Sequence, residues 1–328
     1  MSYDTISHAK NVFNLIIGHN MEKRNIFQEK QFVVLFALIA MFAWGCAYPF
    51  IKLGMQEWNI ANDDAGGKML FAGVRFTTAG ILTLGIARIK GQSLLVKEKS
   101  SIALLLLFGL TNTALHYYFF YSGLAYCEGG KASIINSLSP YLLIILATII
   151  FKEKITVNKV IGCILGFLGI IIVNYGTSMR GFSFQGEGMI VLNCICSAIG
   201  GILTRIVTKK VPAISATGYS LSLGGIMLVV VGLITGGRFT RVTLTGVLLL
   251  LGLITISMVG FILYNQLICY NPISEIAIFN ALIPVFGTMM SCLMLDETFG
   301  MSNLLGLLCT SFGIFMIHFK RKGKTKEC

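Results

Sequence analysis

The 328-residue chain is 55% hydrophobic and only 12% charged, with a mean hydropathy of +0.80; a soluble domain carries about twice that charged share. Ten apolar runs approach the length of about 20 residues that a spanning helix needs, which excludes a soluble globular protein and predicts an all-α polytopic membrane protein. The alternating ten-residue pattern of a membrane β-barrel is absent, and the net charge of +12 sits mainly in loops, where it reports orientation, so no nucleic-acid partner is expected.

In chain order, residues 1–30 form a polar, mixed-charge segment. Its apolar stretch, Val12 to Ile17, is too short for the core of a signal peptide. Met21, followed by Glu22-Lys23-Arg24, would serve as a start as well as Met1, so residues 1–20 are expected either to be dispensable or to lie ahead of the true start. The expected spans are 32–55, 69–88, 102–124, 131–151, 157–176, 188–208, 214–235, 243–267, 274–295 and 301–319, followed by a basic tail, 320–328. With that assignment, nineteen Lys and Arg fall on the side of the N-terminus and seven on the other. The positive-inside rule then puts both termini in the cytoplasm, as an even span number requires. A plasma (inner) membrane location is expected.

The segment 132–175 returns 144 positions later as 276–319. Eight positions are identical: Ile134/Ile278, Asn136/Asn280, Leu138/Leu282, Pro140/Pro284, Glu153/Glu297, Gly162/Gly306, Gly169/Gly313 and Ile170/Ile314. Upstream the agreement is looser: Thr77 and Gly80 correspond to Ser222 and Gly225, and Trp44-Gly45 to Ile199-Gly200. Ten spans therefore divide into two five-helix units, 31–176 and 185–319. Because five is odd, the second unit must enter the membrane from the opposite side, giving inverted repeats with a substrate site expected near the midplane between them.

Certain residues within the spans could carry function. Pro140 and Pro284 interrupt spans 4 and 9 and deprive the carbonyls four residues earlier, those of Asn136 and Asn280, of their usual donor. The pair reads as a gate or substrate ligand, or as two kinked helices whose amides bond to neighbouring helices. His116 lies well inside span 3 with Asn112 one turn before it, a candidate proton carrier or ligand, or a structural histidine. Tyr117 to Tyr121 cover every face of that helix, so only some can face a cavity. Trp44 and Tyr48 share a face of span 1, and with Tyr117, Phe120 and Tyr264 could form an aromatic box, or simply pack. Arg75 reads as a snorkelling cation at the outer end of span 2, as a partner in an ion pair, or as a carboxylate clamp. Glu153 and Glu297 close their spans and are expected to cap or pair with loop cations. Gly162 and Gly166 allow close helix approach. The cysteines are expected to be apolar filler. No phosphate loop, nucleophile elbow or HExxH is present, so neither an enzyme nor a cofactor or metal is expected.

Trp44-Gly45, Arg75, Pro140 with Glu153, Pro284 with Glu297, and the glycine-rich fifth and tenth spans together resemble the drug/metabolite transporter superfamily, specifically its EamA-type exporters. The resemblance runs over roughly 32–319. It implies ten helices in two inverted repeats around a central cavity, and outward movement of small metabolites, often amino acids. Two features depart from the pattern: Pro49 in the first span, and the lack of a counterpart of Arg75 in the second half. The expectation is a secondary transporter working by alternating access, exporting an amino acid or similar metabolite as monomer or homodimer, with a proton or counter-substrate as coupling partner. The alternatives are a transporter of cationic or aromatic compounds, and a channel or non-transporting membrane protein.

Overall fold

The computed structural model describes residues 25–124, 126–127, 132, 135–173, 182–295, 301, 304–305, 308–309 and 311–313, and the regular structure in them is helical throughout. Helix α1 runs Lys30–Glu57, α2 Ala65–Ile89, α3 Lys99–Leu124, α4 Ser139–Phe151, α5 Val157–Val173, α6 Phe184–Val207, α7 Ala213–Ile234 and α8 Leu244–Tyr270. Helix α9 is assembled from Ile273–Ala277, a 3-10 stretch Ile278–Leu282, and Ile283–Leu295. Among the described residues, seven helices are long and apolar enough to cross a membrane: α1, α2, α3, α6, α7, α8 and α9. The molecule is thus a multi-pass membrane protein. The described residues from Met301 to Gly313 are helical, while most of the expected tenth span, the tail, Met21 and Glu297 lie outside the described residues.

Several helices start earlier than the hydropathy suggests, because polar caps hold turns that composition alone reads as loop. Asp64 accepts from the Gly67 amide at 2.7 Å, so α2 begins at Ala65 rather than near 69. Ser183 does the same for Gly186 at 2.9 Å and opens α6 with a π-helical turn, Phe184–Gly188. Thr243 accepts from Gly246 at 3.0 Å in the same way at the start of α8, which begins where the hydropathy puts it and runs on to Tyr270.

Three spans are not regular inside. Helix α3 passes through a π-helical turn at Leu110–Leu115, which rotates Asn112 relative to the residues that follow. Before α4 the chain makes a turn at Ser137 and Leu138, and Pro140 stands in the first turn of the helix that then begins. In α9, Pro284 likewise opens the segment that follows the 3-10 stretch. The prolines therefore start new helical segments, where a missing N–H costs least, instead of bending continuous ones.

Glycines set the closest packing. In the α2–α7 contact, a Cβ on Gly80 would lie 2.3 Å from the Ser222 nitrogen, and one on Gly225 would lie 2.4 Å from the Thr77 nitrogen. The residues that correspond by sequence, Thr77 with Ser222 and Gly80 with Gly225, are thus exchanged across the contact, as in a two-fold pair. Gly313 approaches α5, where its Cβ would come within 2.7 Å of the Gly162 carbonyl and 3.1 Å of the Gly166 nitrogen, so these glycines serve packing within the chain. Two apolar clusters result. One joins α1, α4, α6, α8 and α9 around Met41, Leu143, Leu267 and Phe279; the other joins α1, α2, α7 and α8 around Phe71, Phe76, Leu221 and Leu253. Trp44 packs against both, and a cavity opens beside it.

Candidate functional site

The cavity measures about 180 Å³ and draws its walls from α1, α2, α3, α6, α8, the start of α4 and the break in α9. Trp44 and Tyr48 face it from α1. Asn112, His116, Tyr117 and Phe120 face it from α3, on which the π turn lies. Asn136 contributes from the helical residues just before the turn at Ser137 and Leu138, Pro140 from the first residues of α4, Asn280 and Pro284 from α9, Tyr264 from α8 and Arg75 from α2. Twelve of the residues singled out by sequence stand in its wall; Glu153, Gly162 and Gly166 do not line it, and Glu297 is outside the described residues.

The aromatic residues form a connected wall. The Trp44 ring stands 5.1 Å from Phe261 and 5.0 Å from Tyr264, both inclined, and Phe76 lies 4.2 Å from Tyr117. Gly260 leaves room for the indole edge: a Cβ there would be 2.5 Å from Trp44 Nε1. Gly45 admits α9 in the same way, with a Cβ 2.9 Å from the Gly287 nitrogen. The Trp44-Gly45 pair therefore combines a wall residue with a packing residue. Within the run 117–121, Tyr117 and Phe120 face the cavity, Tyr121 is buried and Tyr118 is exposed.

The two asparagines are held by neighbours. Asn193 of α6 donates to Asn136 Oδ1 at 2.6 Å, and Asn280 Nδ2 donates to the Tyr264 hydroxyl at 3.1 Å. The carbonyls that the prolines deprive are not left bare, because Asn280 O accepts from the Ile283 amide and Asn136 O takes a weak bond from the Cys194 thiol at 3.6 Å. That corrects the expectation of two open backbone acceptors: the 3-10 turn and the adjacent helix supply the donors. Asn112 Nδ2 donates to Ser220 Oγ at 3.2 Å, tying the π turn to α7. Polar atoms remain without a protein partner among the described residues, notably Trp44 Nε1, Arg75 Nη1, His116 Nδ1 and Asn280 Oδ1. Buried polar atoms of this kind keep water or a ligand as partner.

Arg75 departs from both of its simpler expected roles. Since α2 starts at Ala65, Arg75 stands ten residues in, about 15 Å along the axis, and is only 2% exposed, so it does not snorkel. Its Nε donates to Ser257 Oγ of α8 at 2.7 Å, its guanidinium lies 4.8 Å from the Phe76 ring, and no carboxylate among the described residues forms an ion pair with it.

Glu153 caps, but in an unexpected place. Its carboxylate accepts from the Ile273 amide at 2.8 Å, the Ser274 amide at 3.0 Å and the Ser274 hydroxyl at 2.7 Å. It thus closes the N-terminus of α9, not of its own connection. The loop cation Lys159 reaches this knot indirectly, through Ser274 Oγ at 2.6 Å, and stands 3.9 Å from Glu275. Sequence reading missed Asn193, Asn265 and Ser257, which bind α6, α8 and α7 into the site; Asn265 donates to Thr217 at 2.9 Å. Asn193 and Asn265 could have been found by noting every amide inside an apolar run, whereas Ser257 carries no such signal.

Comparison with known proteins gives this geometry a family. The model of the EamA-like transporter family matches residues 31–175 and again 184–319. The chain is 26% identical over 285 residues to the uncharacterized transporter YvbV of Bacillus subtilis, covering 86% of this chain and 90% of that protein. It is 25% identical to an uncharacterized transporter of Archaeoglobus fulgidus over 89% of this chain and all of the relative, and 26% identical to the uncharacterized inner membrane transporter YedA of Escherichia coli over 64% of each. A solved crystal structure superposes with a TM-score of 0.72 at 15% identity, over 87% of this chain and 95% of that one, a likeness of fold. The twofold match of one family model across nearly the whole apolar part of the sequence leads to a single conclusion: the chain belongs to the EamA-like transporter family.

Proposed function

We propose that the protein is a secondary transporter that works by alternating access and exports an amino acid or similar small metabolite through the cavity beside Trp44. The observation that carries this reading is one cavity walled by both halves, with an interrupted helix from each: α4 with its preceding turn, and α9. Broken helices at such a site let backbone and side chain meet a ligand at membrane depth, and they provide hinges. The size favours a metabolite over a drug, since about 180 Å³ is below the roughly 300–1,000 Å³ of drug-sized sites.

In this reading the chain has ten spans in two inverted halves, with both termini in the cytoplasm of a cell with an inner or plasma membrane. The reciprocal Thr77–Gly225 and Gly80–Ser222 contacts support the two-fold relation. The Lys and Arg asymmetry supports the orientation. Trp44, Tyr48, Asn112, His116, Tyr117, Phe120, Asn136, Tyr264 and Asn280 form the substrate surface, and Pro140 and Pro284 set the hinges.

Counterflow in proteoliposomes tests the reading. Vesicles loaded with unlabelled amino acid should accumulate the labelled form transiently, with saturation, as a carrier requires. Non-saturating flux in every member of the panel would mark a channel and overturn it.

A further inference from the structure

We infer that Arg75 is the anion-reading group of the cavity: its guanidinium takes the carboxylate of the transported molecule, and the site selects carboxylates over organic cations. This deepens the transport reading above and rests on it. Four observations lead there. The guanidinium is buried at 2% exposure, lines the cavity, and keeps Nη1 without a protein partner. The cavity wall contains no aspartate or glutamate among the described residues. The rings beside it are neutral: Phe76 lies 4.8 Å from the guanidinium and Tyr117 lies 4.2 Å from Phe76, and neither carries a compensating charge. An uncompensated cation inside the membrane is costly and marks a functional position.

The fourth observation concerns packing. Arg75 bonds through Nε to Ser257, linking α2 to α8. The offset that aligns Thr77 with Ser222 carries position 75 to Ser220, and the 144-residue offset carries Thr113 to Ser257. Ser220 and Thr113 are themselves hydrogen-bonded, at 3.3 Å, linking α7 to α3. A neutral serine therefore makes the same cross-helix link on the other side. The link does not require a guanidinium, so the charge and the free Nη1 at Arg75 have another use. Arginine's planar donor fork suits a carboxylate, and a charge-assisted bond in a dry site is strong.

The test is a thermal-shift series on the purified full chain. The probes are the twenty amino acids, acetate, propionate and benzoate, with choline and tetraethylammonium as cations. At least one carboxylate, zwitterionic or simple, should raise the melting temperature, its carboxamide analogue should not, and the cations should not. Arg75→Gln should weaken the responding carboxylate about ten- to hundredfold, with Arg75→Lys retaining part of the affinity. The inference is overturned if no carboxylate stabilises the protein, if an amide or cation does so equally well, or if a folded Arg75→Gln binds unchanged. The acid-versus-amide comparison uses unaltered protein, so it decides even where Arg75→Gln does not fold. Counterflow separates the two readings: binding of a carboxylate without counterflow overturns transport and leaves the clamp, while saturable counterflow of choline alone overturns the clamp and leaves transport.

Discussion

At the residue scale, the site is a set of polar groups that hold one another in place as much as they face the cavity. Asn193 donates to Asn136 at 2.6 Å, joining α6 to the helical residues ahead of the turn before α4. Removing one partner strands the other, whereas removing both removes the unmet demand. Asn136→Ala and Asn193→Ala should each lower thermal stability, and the double variant should lose less than the sum. The coupling energy expected for a polar pair between membrane helices is about 0.6 to 1.7 kcal/mol. Strict additivity in denaturation of the four proteins would show that the pair is not coupled. The residues that line the cavity were legible because prolines, amides, one histidine and paired aromatics interrupt otherwise apolar runs. Their partners were not: Ser257, Ser220 and Thr113 look like any small polar residue that bonds to its own helix, as Ser257 also does to the Leu253 carbonyl at 2.8 Å. Only three-dimensional proximity separates those uses.

At the element scale, the contact between α2 and α7 explains why two helices with no continuous polar face pack so closely. Their glycines let backbones approach, which lipid-exposed helices need because the hydrophobic effect does not drive them together. Gly225→Ala would place a methyl 2.4 Å from the Thr77 nitrogen, against backbone that cannot swing aside. It should destabilise the protein by about 1–3 kcal/mol, the usual cost of overpacking. Gly85 lies on the same helix as Gly80, yet a Cβ there meets nothing within 4 Å. Gly85→Ala should therefore be neutral, or stabilise by up to about 1 kcal/mol through helix propensity. Equal melting temperatures for the two variants in detergent would rule out this packing account. Helix existence was readable from hydropathy here, and the prolines marked the breaks at α4 and in α9, but the π-helical turn inside α3 was not readable. The π turn at Leu110–Leu115, tied to α7 through Asn112 and Ser220, leaves no local trace in the sequence, whereas Pro284 marks the break that follows the 3-10 stretch Ile278–Leu282. Glycine pairs such as Gly66-Gly67 read as loop until the Asp64 cap puts them in α2.

At the scale of the whole molecule, the two halves are fastened at one end by Glu153, which reaches from the end of α4 to the first amides of α9. If access alternates, this fastening must open when the cavity opens on that side, and its strength sets how often it does. A carboxylate at a helix N-terminus gains from both its charge-assisted bonds and the helix dipole. Glu153→Gln keeps an acceptor but loses the charge, a difference of about 1–2 kcal/mol, which corresponds to roughly a five- to thirtyfold change in the open population. A cysteine placed at Ser137, in the cavity wall, reports that opening in a cysteine-free background. A membrane-impermeant thiol reagent applied from the side of the α4–α5 connection should label it several-fold faster when Glu153→Gln is added. The same reagent from the opposite side should label it no faster, or more slowly, because molecules are drawn toward the other open state. Faster labelling from both sides would mean general loosening, and an unchanged rate would mean that the Glu153 cap holds α9 without governing access.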